Sequence, residues 1–344
     1  MVNKNIKHLN RLATLAKAIV ERIRTQNPEI IAAYSDGSLA RGDMVRGSDV
    51  DIGFIIKGSE RKDKTIQREL KDGVVFEWGF FPQSHYENVD EILTDAGFTH
   101  DVATAKIWYD PQDFLSKIQR TVREKSRSES TIEARVKRQI KIARDNCNMY
   151  QALVWQNNNR DLIQPLISIV RSLFAVPTAA LNKPVTNTRA YLYCRRDARE
   201  LSLPEYPKSV LEILGMQGIN QLKVEKLLSV AYKVYDESDF PQDRIDTFKA
   251  HLEIVDYLLE IDEIEGATWP LLFWSMAWIR DMDKNNQRAG IDSLFELSLP
   301  IREAFGLVGM EDLRIKLQFI EEAMRQAEKL VAHKFGKSQA KVKL

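Results

Sequence analysis

The chain has 344 residues, 50 Lys and Arg against 49 Asp and Glu, two Cys and 44% hydrophobic residues. This length suits about two domains, the composition is that of a folded rather than a disordered chain, and a net charge of +1 gives no overall attraction to nucleic acid or a membrane surface. Two cysteines cannot build a disulfide framework, no Cys/His pair has zinc-ligand spacing, and the charged N-terminus lacks a signal-peptide core, so the expectation is a cytoplasmic protein with no membrane segment.

Residues 6–24 place Ile6, Leu9, Leu12, Leu15, Ile19 and Ile23 near helical spacing, which predicts an amphipathic opening helix ended by Pro28. Ile30 to Tyr34 make a short apolar run with the character of a buried strand. Val50, Ile52, Phe54 and Ile56 alternate with Asp51, Gly53 and Ile55 in a second strand that stops at Lys57-Gly58. A third strand covers 74–81 (VVFEWGFF), rich in β-branched and aromatic side chains and closed by Pro82. Ser84 caps a short helix reaching about Leu93, and residues 102–109 (VATAKIWY) read as a fourth strand. From there the pattern turns helical: Ile132, Val136, Ile140, Ala143, Cys147, Tyr150 and Val154 step by three and four, as do Ile245 to Leu259 and Leu313 to Met324. The fold class expected is therefore an α/β (α+β) N-terminal domain with a mixed sheet, residues 1–115, followed by an all-helical domain, residues 116–344.

The stretch from Ser35 to Ile52 carries the chemistry. A strand runs into Gly37-Ser38, a polar connection follows, and a new strand opens at Asp49. Asp49 and Asp51, two apart in a strand, face the same way, and two close carboxylates repel unless a cation lies between them. Oxygen donors of this kind suit Mg²⁺. Glu77 is the only charged residue in its apolar strand and would be costly to bury unpaired. If its strand neighbours 50–56, three carboxylates converge, as a two-metal phosphoryl-transfer site requires. Gly37 allows close backbone approach to a phosphate, the Ser38 hydroxyl can donate to it, and Arg41, Arg46 and Ser48 lie in the same connection.

Gly37-Ser38, a ten-residue gap and Asp49-Val50-Asp51, with Glu77 beyond, resemble the motif of the DNA polymerase β-like nucleotidyltransferase superfamily, in style the kanamycin nucleotidyltransferase-like and minimal nucleotidyltransferases. The resemblance implies that Gly37, Ser38, Arg41, Arg46 and Ser48 contact ATP or another NTP. It also implies that Asp49, Asp51 and Glu77 hold Mg²⁺ in a two-metal arrangement and that AMP passes to a hydroxyl of a small, aminoglycoside-like acceptor. In kanamycin-type enzymes a carboxylate of the helical domain is the base, which points to Asp145, with Glu133 the alternative on the same helix. Related enzymes form dimers, so a homodimer is an open expectation. Two other readings stay open: transfer to a protein or RNA acceptor of the toxin–antitoxin kind, and a non-catalytic nucleotide-binding module. Ten Lys and Arg against three Glu between 117 and 144 are the sequence feature favouring RNA. No Walker-type loop, His-Glu-x-x-His or Gly-x-Ser-x-Gly occurs.

Overall fold

A computed structural model describes residues 2–58, 66–159, 161–216, 218–236, 241–285 and 299–341, with side chains outside description at 2–7, 278–285 and 337–341. Two compact units divide the chain: Met1–Thr131 with Gln242–Ile254, and Ile132–Pro241 with Val255–Leu344.

The first unit is built on a mixed five-stranded sheet. Helix α1 (Val2–Gln26) leads into β1 (Ile30–Ser35), the one-turn α2 (Gly37–Arg41) and β2 (Val50–Ile56). Strands β3 (Gln67–Lys71) and β4 (Val74–Pro82) follow, then α3 (Ser84–Glu87), α4 (Val89–Thr94), α5 (Ala96–Thr104), β5 (Lys106–Tyr109) and α6 (Phe114–Lys125). The strand order is β3-β4-β2-β1-β5, with β2 and β4 parallel and the other pairs antiparallel. Alternation divides β2 between two cores. Val50, Ile52, Phe54 and Ile56 join Leu12, Ala16, Ile19 and Val20 of α1 on one face, whereas Ile55 joins Tyr34, Tyr86, Ile92, Val102 and Leu115 on the other.

Several elements differ from the sequence expectation. Residues 102–104 are helical, not strand, because Asp95 caps α5 by accepting from the N–H groups of Gly97 and Phe98, and only Lys106–Tyr109 is extended. Edge strand β3 was not anticipated. It is polar and without a fully buried residue, and the turn that returns it to β4 is Asp72-Gly73, both at positive φ. The helix expected from Ser84 is broken in two at Asn88. The first unit also runs past residue 115, since Leu115 and Val122 of α6 lie in the sheet's core and Gln119 donates to the carbonyls of Val102 and Ala105.

The second unit is helical. It holds most of α7 (Glu129–Trp155), then α8 (Ile163–Ala180), α9 (Ala190–Glu200), α10 (Tyr206–Glu212), α11 (Gln221–Asp236), the end of α12 (Gln242–Glu260), α13 (Ile264–Asn285) and a last long helix, Met310–Lys341. No strand follows Tyr109 among the described residues. Helix α8 is long and apolar enough in composition to cross a membrane, and 78% of it is buried in the protein.

Gly53 shows how tightly the sheet is packed. It pairs across strands with Tyr34, and a Cβ on it would lie 2.2 Å from that ring, whose hydroxyl is 2.6 Å from that of Tyr86. Gly53→Ala should therefore destabilise the protein by about 1–3 kcal/mol through overpacking. A melting temperature equal to that of the wild type would contradict this packing.

Candidate active site

Parallel pairing of β2 with β4 sets Asp51 opposite Glu77, and Asp49 enters from the residue before β2, two positions upstream. The register thus brings the three expected acids to one side of neighbouring strands. Asp51 and Gly37 are in close approach: Gly37 has φ +60° and a Cβ there would come within 2.4 Å of Asp51 Oδ2, so no other residue fits without displacing the carboxylate. The Asp36 N–H donates to the Asp51 carbonyl at 3.3 Å, and the Ser38 hydroxyl donates to the Asp49 carbonyl at 3.3 Å. The Gly37-Ser38 turn is therefore fastened to the start of β2.

Several like charges share this region. Burial, then Asp49, Asp36 and Glu77, push the Asp51 carboxyl well above the usual carboxylate range. Burial pushes Asp36 up to about 6, with Arg41 opposing and Asp49 adding to the rise. Burial would also raise Glu77, but His251 and the guanidinium of Arg68, bonded to it directly, hold it down at about 2.

His251 is the residue the sequence reading missed. It lies on α12, in the Gln242–Ile254 segment that belongs to the first unit. Its side chain is wholly buried, and Nε2 stands 3.5 Å from Glu77 Oε1 and 3.7 Å from Asp49 Oδ2. Nδ1 is 2.9 Å from the Thr247 carbonyl, which can only accept, so Nδ1 carries a proton and Nε2 faces the acids. Burial opposes the imidazolium, but the Asp49 and Glu77 carboxylates outweigh it and raise His251 to about 9. The signal available in the sequence was a histidine on the apolar stripe of Ile245, Phe248, Leu252 and Val255. Segment 242–254 reaches the site because Gly47, at φ +78°, lets the backbone of Glu253 and Ile254 come close; a Cβ on Gly47 would lie 2.2 Å from the Ile254 nitrogen.

One donor atom each from Asp49, Glu77 and His251 lies within 4.8 Å of the others, a spacing that fits a divalent cation. Asp51 stands beside this group, with its carboxylate against Gly37. A cavity of about 370 Å³ opens next to it, lined by Met44, Arg46, Ser48, Asp49, Val74 and His251 among others. Arg46 and Ser48 therefore border the site, and the Ser48 hydroxyl also accepts from the Val45 N–H at 3.0 Å. Arg41 lies 3.4 Å from Asp43. Asp145 is in the second unit, 58% exposed and paired with Lys141 at 2.5 Å. Glu133 pairs with Lys137 at 2.7 Å. Of the basic residues between 117 and 144, Arg135 is fully buried and donates to Asn182, so it belongs to packing rather than to a basic surface.

Residues 16–99 match the family model of the nucleotidyltransferase domain. The matched segment contains Gly37, Ser38, Asp49, Asp51 and Glu77, and ends before His251. Among solved structures the chain is similar to a nucleotidyltransferase-like protein from Exiguobacterium sibiricum 255-15, at 12% identity and a TM-score of 0.32, over 72% of this chain and 91% of that one. No curated protein matches the chain significantly.

The charge arrangement has a pH signature in the metal-free protein. His251 is raised above its ordinary 6.5, so its contribution to stability is full below that value and lost as pH rises through about 9. Glu77 is depressed, so its contribution is present above its ordinary 4.5 and lost as pH falls towards about 2. A histidine NMR titration should give His251 a midpoint near 9 that falls in Asp49→Asn; a midpoint near 6.5 in both proteins would contradict the pairing.

Proposed function

We propose that the protein transfers a nucleoside monophosphate, AMP from ATP, to a hydroxyl of a small acceptor. The observation that carries this reading is the pairing of Asp51 with Glu77 on adjacent strands, beside Asp49 and the Gly37-Ser38 turn, inside a segment that matches a nucleotidyltransferase domain. In this reading Gly37 and Ser38 hold the triphosphate, with Arg41, Arg46 and Ser48 along the connection, and Asp49, Asp51 and Glu77 hold Mg²⁺. The bound cation supplies charge neutralisation for the triphosphate and its leaving group.

The residues themselves position the reactants. The acceptor oxygen forms a bond to the α-phosphorus as the bond to the bridging oxygen breaks, pyrophosphate leaves, and the acceptor proton passes to a carboxylate. Two residues are candidates for that proton: Glu77 in the first unit and Asp145 in the second. The cavity bordered by Ser48 and Asp49 offers space for a ligand next to the acids. An aminoglycoside-like small molecule is the acceptor class proposed; a protein or RNA acceptor is the alternative outcome of the same assay.

Incubation with each labelled NTP, Mg²⁺ and a panel of aminoglycosides, tRNA and cell protein tests the reading. Label should move from ATP to a small acceptor with release of pyrophosphate. Asp49→Ala and Asp51→Ala should each lower the rate by at least about 10³-fold, the scale on which removal of a preorganised charge acts, while leaving the circular dichroism spectrum unchanged. Undiminished transfer in both variants would overturn the mechanism. Asp145→Asn tests Asp145 as the proton acceptor: a loss of about 10²–10⁴-fold assigns the base to it, and full turnover excludes it.

A further inference from the structure

The acids proposed above as cation ligands share their site with a nitrogen donor that comes from a distant part of the chain. We propose that His251 is itself a ligand of the cation held by Asp49 and Glu77, and that this mixed carboxylate–imidazole site takes Mn²⁺ in preference to Mg²⁺. The inference rests on the reading of Asp49 and Glu77 as cation ligands and adds a nitrogen donor and a metal preference to it.

Three observations carry it. The first is distance. For metal–ligand bonds of about 2.1 Å, neighbouring donor atoms lie about 3.0 Å apart in an octahedron and about 3.4 Å apart in a tetrahedron. His251 Nε2 stands 3.5 Å from Glu77 Oε1 and 3.7 Å from Asp49 Oδ2, longer than direct hydrogen bonds and close to the separation of atoms sharing one cation. The second is orientation. The Nδ1 proton is engaged by the Thr247 carbonyl at 2.9 Å, the backing that metal-ligating histidines ordinarily have, and it aims Nε2 at the acids. The third is placement. His251 is fully buried and is held over the start of β2 by the close approach of Gly47 to Glu253 and Ile254, so the imidazole is delivered by packing and not by a mobile loop.

The donor set then decides the metal. Mg²⁺ favours oxygen ligands and sheds water reluctantly, whereas an imidazole nitrogen shifts preference towards first-row transition ions. Two carboxylates and one imidazole suit Mn²⁺ or Zn²⁺ better than Mg²⁺.

Mn²⁺ alone, added to the full-length nucleotide-free protein, is the probe. Electron spin-echo spectroscopy should show ¹⁴N coupling from a directly bound imidazole in the wild type, and Mn²⁺ should bind at least about tenfold more tightly than Mg²⁺ in competition. His251→Ala and His251→Gln should lose the coupling and weaken Mn²⁺ at least about tenfold while changing Mg²⁺ less than about threefold, a loss on the scale of disturbed ligand shells. Bound Mn²⁺ without nitrogen coupling in the wild type overturns the proposal without use of any variant. Unchanged or tighter Mn²⁺ binding in the His251 variants also overturns it and makes the imidazole a counter-ion for the acids. Asp49→Ala separates the two readings: Mn²⁺ binding as in the wild type would refute Asp49 as a ligand, and with it both this proposal and the cation site it extends.

Discussion

Carboxylates brought together on neighbouring strands repel one another, and the first unit is organised around holding them in place. The register between β2 and β4 leaves no freedom in the matter: once Val50 pairs with Phe76, Asp51 must face Glu77, and Asp49 follows two residues upstream. The hydrophobic alternation that buries Val50, Ile52, Phe54 and Ile56 against α1 is what fixes that register, because a slip by one residue would turn the apolar set away from its core. The cost of packing a sheet and the assembly of an acidic site are therefore set by one choice of pairing.

In the metal-free protein three cationic side chains, each from a different element, balance the acids. Arg68 comes from edge strand β3, Arg41 from the end of α2, and His251 from α12, more than a hundred residues away in sequence. Two glycines make the close approaches. Gly37 admits the Asp51 carboxylate, and Gly47 admits the backbone of Glu253 and Ile254. Each is at positive φ, so the conformation and the contact both disfavour a side chain. Asp51 and Asp36 are both pushed upwards, first by burial and then by neighbouring carboxylates. That is the electrostatic condition under which a bound divalent cation replaces protons.

Much of this was legible in the sequence because it rests on short-range pattern. The alternation around Asp51, the lone Glu77 in an apolar strand and the Gly-Ser turn each have a local signature, and β2 coincides with the expected span. The elements that were not read depend on context. Strand β3 is polar and gains its structure from pairing with β4, although Asp72-Gly73 was a hairpin signal. Residues 102–104 carry strand-like side chains but are recruited into α5 by the Asp95 cap. His251 could not be assigned to the acids, because a buried histidine on an amphipathic helix has the same local pattern whether it fills a core or meets a site. Only the tertiary approach across Gly47 distinguishes the two. Beyond His251, Glu263 pairs with Arg195 at 2.6 Å and Glu265 accepts from Tyr191.

The central claim is that the acids at the start of β2 and in β4 form one cation-dependent nucleotide site against the Gly37-Ser38 turn. A crystal structure of the protein with Mn²⁺ and an ATP analogue that cannot be cleaved at the α-phosphate, phased to locate manganese by its anomalous signal, tests it directly. The account predicts a manganese peak between Asp49 and Glu77, with the triphosphate running along Gly37 and Ser38. Manganese away from these carboxylates, or a nucleotide bound elsewhere with the acids unliganded, would contradict it.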